Sequence, residues 1–230
     1  TPRSLKVGLY YLATAVLFLV SAFAYHSFIA LWLFFSMLTV AIVYAFGFNH
    51  LIAGENARAS LWQWILFAPY FIGTNLSWRW YKRKLPLMSQ VEDRIYFGRH
   101  PAKGEYTQLR ESGINHAINL ALEHQINRSM IEQTRIPFLD LTIPSPEALH
   151  RVVLMIEAKK ENGVYVHCAL GLSRSVMAIG AWMLYRGFTM MQIEERLREL
   201  RLAYVKSKYI YVALNLYQTH LNALRVSDSA

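Results

Sequence analysis

The sequence predicts an α/β domain, a sheet flanked by helices, that follows two or three transmembrane helices. Charged residues are almost absent from residues 7–78, where only Glu55 and Arg58 are charged, whereas the rest of the chain has an ordinary polar content. In that second part, short apolar runs alternate with helix-like segments, as in a sheet covered by helices on both faces. We therefore expect a helical anchor over residues 1–80 and an α/β domain over residues 91–226.

Two apolar runs, residues 7–25 and 27–46, are each long enough to cross a bilayer as a helix. They meet almost directly at His26, which predicts a tight helical hairpin. The first run is also compatible with the apolar part of a cleaved signal peptide that ends at Ala22-Phe23-Ala24. The second apolar run, which follows at once, favours the hairpin.

Residues 61–78 are a third candidate span. A pair of tryptophans lies at each end, and roughly 24 Å of helix would separate the pairs, near the distance between the two membrane interfaces. Pro69 and Gly73 weaken a helix, and Asn75 is polar. The alternative is therefore a kinked helix that lies in the interface. The tryptophan spacing favours a span.

Four cations, Arg79, Lys82, Arg83 and Lys84, follow this segment and predict that its end lies in the cytoplasm. The α/β domain is then cytoplasmic, and the N-terminus lies inside with two spans or outside with three. The net charge of +9 and this cluster also predict attraction to anionic membrane lipids. The sequence has neither a zinc pattern nor an RNA-binding signature, so nucleic acid is not an expected partner.

Periodicity, turn residues and cap residues predict the elements of the α/β domain. Strands are expected at residues 94–98, 114–120, 136–141 and 164–167. Helices are expected at residues 106–112, from Pro146 with Ser145 as its N-cap, and at residues 173–186, 189–201 and about 208–224.

One segment between a predicted strand and a predicted helix carries the chemistry: His167-Cys168-Ala169-Leu170-Gly171-Leu172-Ser173-Arg174-Ser175. The backbone N–H groups of such a loop and of the helix N-terminus converge on an anion. Gly171 permits a backbone conformation that a side chain would hinder. Arg174 can offer two parallel N–H donors to a phosphate. The segment therefore predicts a phosphate site formed by residues 169–174.

The same segment predicts covalent chemistry. Cys168 is the only cysteine, so no intrachain disulfide can form. A helix N-terminus and a neighbouring cation favour the thiolate, which can attack phosphorus and form a phosphocysteine. His167 is expected to orient the loop, and Ser175 to donate a hydrogen bond to the sulfur as it leaves. No cofactor and no metal are expected, because the chemistry needs none.

The motif His-Cys-x-x-Gly-x-x-Arg-Ser at residues 167–175 resembles the signature loop of the protein tyrosine phosphatase superfamily. The short domain is similar to the dual-specificity branch of that superfamily, over about residues 91–224. The resemblance implies that Cys168 is the nucleophile, that Arg174 clamps the phosphate, and that an upstream aspartate protonates the leaving oxygen. Asp140, at the end of a strand and before a proline-bounded turn, is the candidate. The alternative is an aspartate that only caps the turn.

The substrate is expected to be a single phosphomonoester. Ala169, Leu170 and Leu172 are apolar, whereas relatives that act on multiply phosphorylated inositol lipids carry lysines in this loop. Membrane attachment favours a phospholipid head-group phosphate, as in the related phosphatidylglycerophosphate phosphatases, and a phosphotyrosine or phosphoserine protein is the alternative. Glu123 and His100 lie on loops beside strands, where they either line the pocket or are ordinary surface residues.

A function of another class is a catalytically silent phosphate-binding module that recruits phosphorylated partners to the membrane. Such a module would most readily lose Cys168, Arg174 or Asp140. All three are present, which favours the enzyme.

Overall fold

The computed structural model describes residues 4–48, 51–52, 60–123, 131–200 and 207–227. The chain divides into two units, Thr1–Trp80 and Tyr81–Ala230.

The helices of the N-terminal part are α1 (Leu5–Tyr25), α2 (Phe28–Phe46) and α3 (Leu61–Tyr81). The turn between α1 and α2 is tight. His26 takes a left-handed φ of 50°, and the Ser27 hydroxyl caps α2 by accepting the Ala30 N–H at 3.3 Å. The predicted hairpin is confirmed.

Small and aromatic side chains pack α1 against α2. A Cβ on Gly8 would lie 3.2 Å from the carbonyl oxygen of Ala41, so the glycine allows the two backbones to approach closely. The Tyr11 ring stacks on the Tyr44 ring with centroids 5.5 Å apart. The Tyr11 ring also meets the edge of Tyr70 of α3, at 6.3 Å. These contacts join the three helices.

Among the described residues, α1 and α2 are the two helices that are long and apolar enough to cross a membrane, with mean hydropathies of 2.0 and 2.3. The third apolar segment, α3, is helical through Pro69 but does not reach that hydropathy. Length and hydropathy therefore support two candidate spans. Both helices expose large apolar side chains, including Leu9, Val20, Phe23, Phe28, Ile29 and Phe35.

The C-terminal unit is built on a five-stranded sheet in the order β1-β2-β5-β3-β4. The strands are β1 (Met88–Glu92), β2 (Ile95–Gly98), β3 (His116–Ala121), β4 (Glu132–Phe138) and β5 (Val164–His167). β1 pairs with β2 in antiparallel fashion, and all other pairs are parallel. The apolar strand β5 therefore lies at the centre, as its composition predicts.

The helices of this unit are α4 (Tyr106–Glu111), α5 (Pro146–Lys159), α6 (Arg174–Tyr185), α7 (Met190–Leu200) and α8 (Lys208–Ser227). Short 3-10 turns lie at Lys103–Glu105 and Lys160–Asn162. The predicted start of α5 is confirmed, because the Ser145 hydroxyl accepts the Ala148 N–H at 3.2 Å.

The central strand shows that both faces of the sheet are covered. Val164 and Val166 point into the main core, which also contains residues of α5, α6 and α8, whereas Tyr165 points into a second cluster with Leu109 of α4. The α/β fold class is confirmed.

Two strand predictions differ from the structure. β1 was not predicted, and it begins at Met88, before residue 91, the predicted start of the domain. β4 was predicted over residues 136–141, and this is wrong, since the strand covers Glu132–Phe138. β4 is an edge strand, which tolerates Pro137 and the polar residues at its start. The predicted end of α7 at Arg201 lies outside the described residues.

The turn into β5 requires glycine at position 163. Gly163 has a φ of +78°, and a Cβ there would lie 1.9 Å from the carbonyl oxygen of Gly113. We expect Gly163→Ala to lower the free energy of unfolding of the full chain in detergent by roughly 2–4 kcal/mol. The matched control is Gly104→Ala, where a Cβ would meet nothing within 4 Å. Denaturant titration followed by tryptophan fluorescence measures both changes, and equal losses would contradict this account.

Candidate active site

The parallel strands β2, β3, β4 and β5 end at one edge of the sheet, and the segments that leave them carry the predicted site residues. His100 follows β2, Glu123 follows β3, Asp140 follows β4 and Cys168 follows β5. Ligands of such sheets bind beyond the carboxyl ends of the strands. The topology therefore brings together residues that are far apart in the chain.

The loop between β5 and α6 turns around the sulfur of Cys168. Gly171 has a φ of 71°, which a side chain would disfavour, and its N–H donates to Cys168 Sγ at 3.2 Å. The Cys168 N–H donates to the carbonyl oxygen of Gly98 at 3.4 Å. The helix α6 begins at Arg174, so its positive N-terminal end lies at this loop.

Ser175 is fully buried beside the sulfur. Its Oγ lies 3.5 Å from Cys168 Sγ and 3.4 Å from the carbonyl oxygen of Gly98. Rotation of one hydroxyl therefore directs its proton to either acceptor.

Arg174 is 1% exposed and is held by partners after β3 and at the end of β4. Its Nη1 and Nη2 donate to the two carboxylate oxygens of Glu123, at 3.0 and 2.5 Å. Nη1 also donates to the carbonyl oxygen of Phe138 at 3.1 Å. Burial would by itself lower the pKa of Arg174, but the charges of Asp140 and Glu123 hold that pKa well above its usual value.

These contacts decide which edge of the guanidinium can meet a ligand. The Nε–H makes no hydrogen bond within the described residues, and it lies 3.3 Å from Asp140 Oδ1. The Nε–H and the second Nη2–H point in the same direction, as two parallel donors. This edge suits two oxygens of one phosphate, and Asp140 lies beside it.

Asp140 lies over the loop rather than capping only its own turn. Ser173 Oγ donates to Asp140 Oδ1 at 2.8 Å, and the Asp140 side chain is 38% exposed. Tyr209, at the start of α8, lies beside the Ser173 hydroxyl. Burial raises the pKa of Tyr209, the bond with Ser173 lowers it, and the charge of Asp140 raises it further. The Asp140 carboxyl therefore faces both the loop and the solvent.

His167 supports the loop from behind. The ring is fully buried, and in the tautomer with its proton on Nδ1 it donates to the carbonyl oxygen of Cys168 at 3.3 Å. It stacks on the Tyr165 ring with centroids 5.4 Å apart. The Tyr165 hydroxyl is in turn 2.8 Å from the carbonyl oxygen of Leu87 and 2.5 Å from that of Arg99. The ring is thus fixed by its neighbours.

The end of β2 approaches the loop closely. The His100 N–H donates to the carbonyl oxygen of Ala169 at 2.9 Å. A Cβ on Gly98 would lie 2.0 Å from the carbonyl oxygen of Leu87 and 2.7 Å from the Tyr165 hydroxyl. Only glycine fits at position 98, where β2 packs closely against Leu87 and the Tyr165 hydroxyl.

The residue after Asp140 is strained. Leu141 has a φ of 56°, and the residue is 47% exposed. The left-handed conformation costs a leucine roughly 1–2 kcal/mol. The turn is fixed from both sides, because the buried Thr142 hydroxyl donates to the carbonyl oxygen of the buried Leu139 at 2.7 Å.

The structure brings the predicted site residues together at this edge. They are Asp140, His167, Cys168, Ala169, Leu170, Gly171, Leu172, Ser173, Arg174 and Ser175. Glu123 and His100 both lie at the site. From the sequence, each could have been either a pocket residue or an ordinary surface residue. Three further residues at the site were not predicted from the sequence: Gly98, Tyr165 and Tyr209. A glycine at a strand end was a usable signal for Gly98, whereas only the fold places Tyr209 here.

Comparison with curated proteins found no match. Solved structures do match. They include Tk-PTP in the active form, 24% identical over 58% of this chain and 97% of that chain, with a TM-score of 0.54. Human DUSP28 is 20% identical over 59% of this chain and 99% of that chain, with a TM-score of 0.51. PTPMT1 is 20% identical over 61% of this chain and 99% of that chain, with a TM-score of 0.53. These similarities show the fold.

The profile of the family described as "Dual specificity phosphatase, catalytic domain" matches residues 95–220, more than half of the chain. The match contains four of the five strands and the whole loop from Cys168 to Arg174. The chain therefore belongs to the dual specificity phosphatase family, in the branch of the protein tyrosine phosphatase superfamily that its motif indicates.

Proposed function

We propose that this protein is a membrane-attached phosphatase that hydrolyses phosphomonoesters through a phosphocysteine. The observation that carries the proposal is the arrangement around Cys168 Sγ. The sulfur lies at the N-terminus of α6, and the same loop presents the guanidinium of Arg174 and meets the carboxyl of Asp140. A nucleophile, a cation for the phosphoryl oxygens and a proton donor are thus side by side.

In the first step, the Cys168 thiolate attacks phosphorus, and an S–P bond forms as the ester P–O bond breaks. The N–H groups of the loop and the Nε–Nη2 edge of Arg174 bind the phosphoryl oxygens, where negative charge is concentrated. The leaving oxygen takes a proton from Asp140, because an alkoxide is a poor leaving group.

In the second step, a water molecule attacks the phosphocysteine. Asp140, now a carboxylate, accepts a proton from that water, and the S–P bond breaks to release phosphate. Ser175 donates a hydrogen bond to the sulfur as the thiolate returns, since its Oγ lies 3.5 Å from Sγ. The enzyme is then restored to its starting state.

Membrane attachment is supported by α1 and α2. Their exposed apolar surface would be in contact with water over the length of both helices unless another apolar phase covers it. The basic residues Arg79, Lys82, Arg83 and Lys84 support a cytoplasmic position for the phosphatase domain and an attraction to anionic lipids. We infer an integral membrane protein whose catalytic domain faces the cytoplasm.

The favoured substrate is a phospholipid with a single head-group phosphate. Ala169, Leu170 and Leu172 place no cation in the loop for further phosphates, and attachment to the bilayer raises the local concentration of lipids. The structural neighbour PTPMT1 has been solved in complex with PI(5)P, at 18% identity. The alternative substrate is a protein phosphorylated on tyrosine, serine or threonine.

Replacement of the nucleophile tests the mechanism. We expect Cys168→Ser to lower kcat by roughly 1,000-fold or more, because a hydroxyl does not ionise as the thiol does. The N–H groups of the loop remain, so the dissociation constant for tungstate should change by less than about threefold. As a contrast, Arg174→Lys should lower kcat and also weaken tungstate binding, because lysine lacks the two parallel N–H donors of a guanidinium.

Phosphate release from 4-nitrophenyl phosphate and tungstate titration, both on the full chain in detergent, measure these effects. A Cys168→Ser variant as active as the wild type would contradict the mechanism. A wild type that binds tungstate but hydrolyses no phosphomonoester would instead favour the silent phosphate-binding module.

Replacement of the proton donor should depend on the leaving group. We expect Asp140→Asn to lower kcat at least about tenfold more for glycerol 3-phosphate than for 4-nitrophenyl phosphate, because nitrophenolate leaves without protonation. The control is Asp93→Asn, whose side chain is 88% exposed and which precedes β2. Equal losses on the two substrates would assign protonation to another group.

Glu123 is expected to position Arg174 rather than to contact substrate. We expect Glu123→Gln to lower kcat about tenfold, because the guanidinium loses one of its two bonds to position 123. Tungstate affinity should stay within about threefold, since the repulsion between Glu123 and the bound anion is lost as well. The control is the exposed Glu195→Gln. A parallel loss of kcat and tungstate affinity would rule out this positioning role.

A further inference from the structure

Leu141 combines a strained backbone with an exposed apolar residue type. Its φ of 56° is one that glycine or asparagine adopts far more readily than leucine. The residue is nevertheless 47% exposed, so burial within the protein offsets only part of the strain. Strained residues of this kind are concentrated at functional sites. The side chain of Leu141 is therefore expected to contact something outside the chain.

Hydrogen bonds on both sides of Leu141 hold the turn that carries it. Asp140, the preceding residue, is bound to Ser173 of the phosphate loop at 2.8 Å. On the other side, Thr142 is buried and closes the turn onto Leu139. Leu141 therefore lies next to the group that we propose to protonate the leaving oxygen.

The entrance is also apolar in the phosphate loop itself. Leu170 and Leu172 are partly exposed, and Ala169 is nearly buried. A ligand whose phosphate reaches the sulfur thus meets aliphatic side chains of the loop as well as the carboxyl of Asp140. Such surroundings favour an apolar group beyond the ester bond.

We propose that Leu141 contacts the glycerol and acyl part of a phospholipid monoester whose phosphate is bound by residues 169–174, and that Leu141 thereby determines a preference for lipid over water-soluble phosphomonoesters. The inference rests on the proposed phosphatase function. A lipid fits better than a peptide because the same chain carries α1 and α2, both long and apolar enough for a membrane. Only residues 82–87 separate the end of α3 from the first strand of the domain.

The test compares two substrates with the same leaving oxygen, phosphatidic acid and glycerol 3-phosphate. The full chain is reconstituted in phosphatidylcholine vesicles, which either contain phosphatidic acid as a minor component or are supplied with glycerol 3-phosphate in solution. We expect Leu141→Asn to lower kcat/KM about tenfold more for phosphatidic acid than for glycerol 3-phosphate, as the loss of one buried leucine contact predicts. Asparagine adopts the backbone conformation of position 141, so the turn is kept.

Two further variants make the comparison specific. Leu154→Asn is the matched control, because Leu154 is also 47% exposed but lies on α5, and it should leave the ratio of the two kcat/KM values unchanged. Leu141→Met keeps an apolar side chain and should retain most of the lipid preference.

Three results would overturn the inference. Equal losses on both substrates would mean that Leu141 acts only through Asp140. A larger loss on a phosphotyrosine peptide than on phosphatidic acid would mean that the entrance fits a protein. A wild type that is inactive on all three substrates would contradict the proposed function itself, and the inference with it.

Discussion

The buried guanidinium of Arg174 is the group on which the rest of the site depends. A buried cation is strongly unfavourable unless charged and polar partners surround it. Here the partners are Glu123 after β3, Phe138 at the end of β4 and Asp140 after β4, while Arg174 itself follows β5. One charge therefore ties together three segments that leave the sheet at the same edge. The pairing that makes burial tolerable also fixes the direction of the donors that remain.

Order around the sulfur comes from backbone contacts rather than from long side chains. Three main-chain groups lie at Cys168: the Gly171 N–H, the N-terminus of α6 and the carbonyl oxygen of Gly98. Main-chain groups inside a packed sheet cannot reorient freely, so little reorganisation is needed when charge develops at the phosphoryl group. The central position of β5 and the packing of Tyr165 behind His167 hold these groups in place. The packing that stabilises the sheet therefore also holds the main-chain groups of the site in position.

The two units of the chain differ in how far they bury their apolar side chains. The phosphatase domain buries its apolar residues between sheet and helices, as a domain in water does. The hairpin of α1 and α2 packs through Gly8, Tyr11 and Tyr44 but leaves most of its apolar surface outward. Positive charge is also distributed unevenly along the chain. The charge of Arg174 in the active site is balanced by two carboxylates, and a cluster of cations at residues 79–84 directly follows the apolar helices. In the proposed function, this division holds a water-adapted active site at a surface rich in lipid.

The features that the sequence alone determined are those that depend on near neighbours. The tight turn at His26, the Ser145 cap and the strand–loop–helix segment from Val164 to Ser175 follow from residues within a few positions of one another. A strand that ends at a cysteine, a glycine in the loop and an arginine in the first helical turn form a phosphate cradle wherever the rest of the chain lies. The family and the fold class could therefore be predicted from one segment and its flanking periodicity.

Only the tertiary structure decided the features that need distant partners. β1 has little apolar pattern of its own and exists through pairing with β2, while β4 begins in polar residues because an edge strand need not be apolar. Glu123 reaches Arg174 across 51 positions, and Tyr209 reaches Ser173 from another helix. The backbone strain at Leu141 likewise arises from a turn that Asp140 and Thr142 hold from either side. A local pattern cannot encode these contacts, because each depends on the order in which the strands pair.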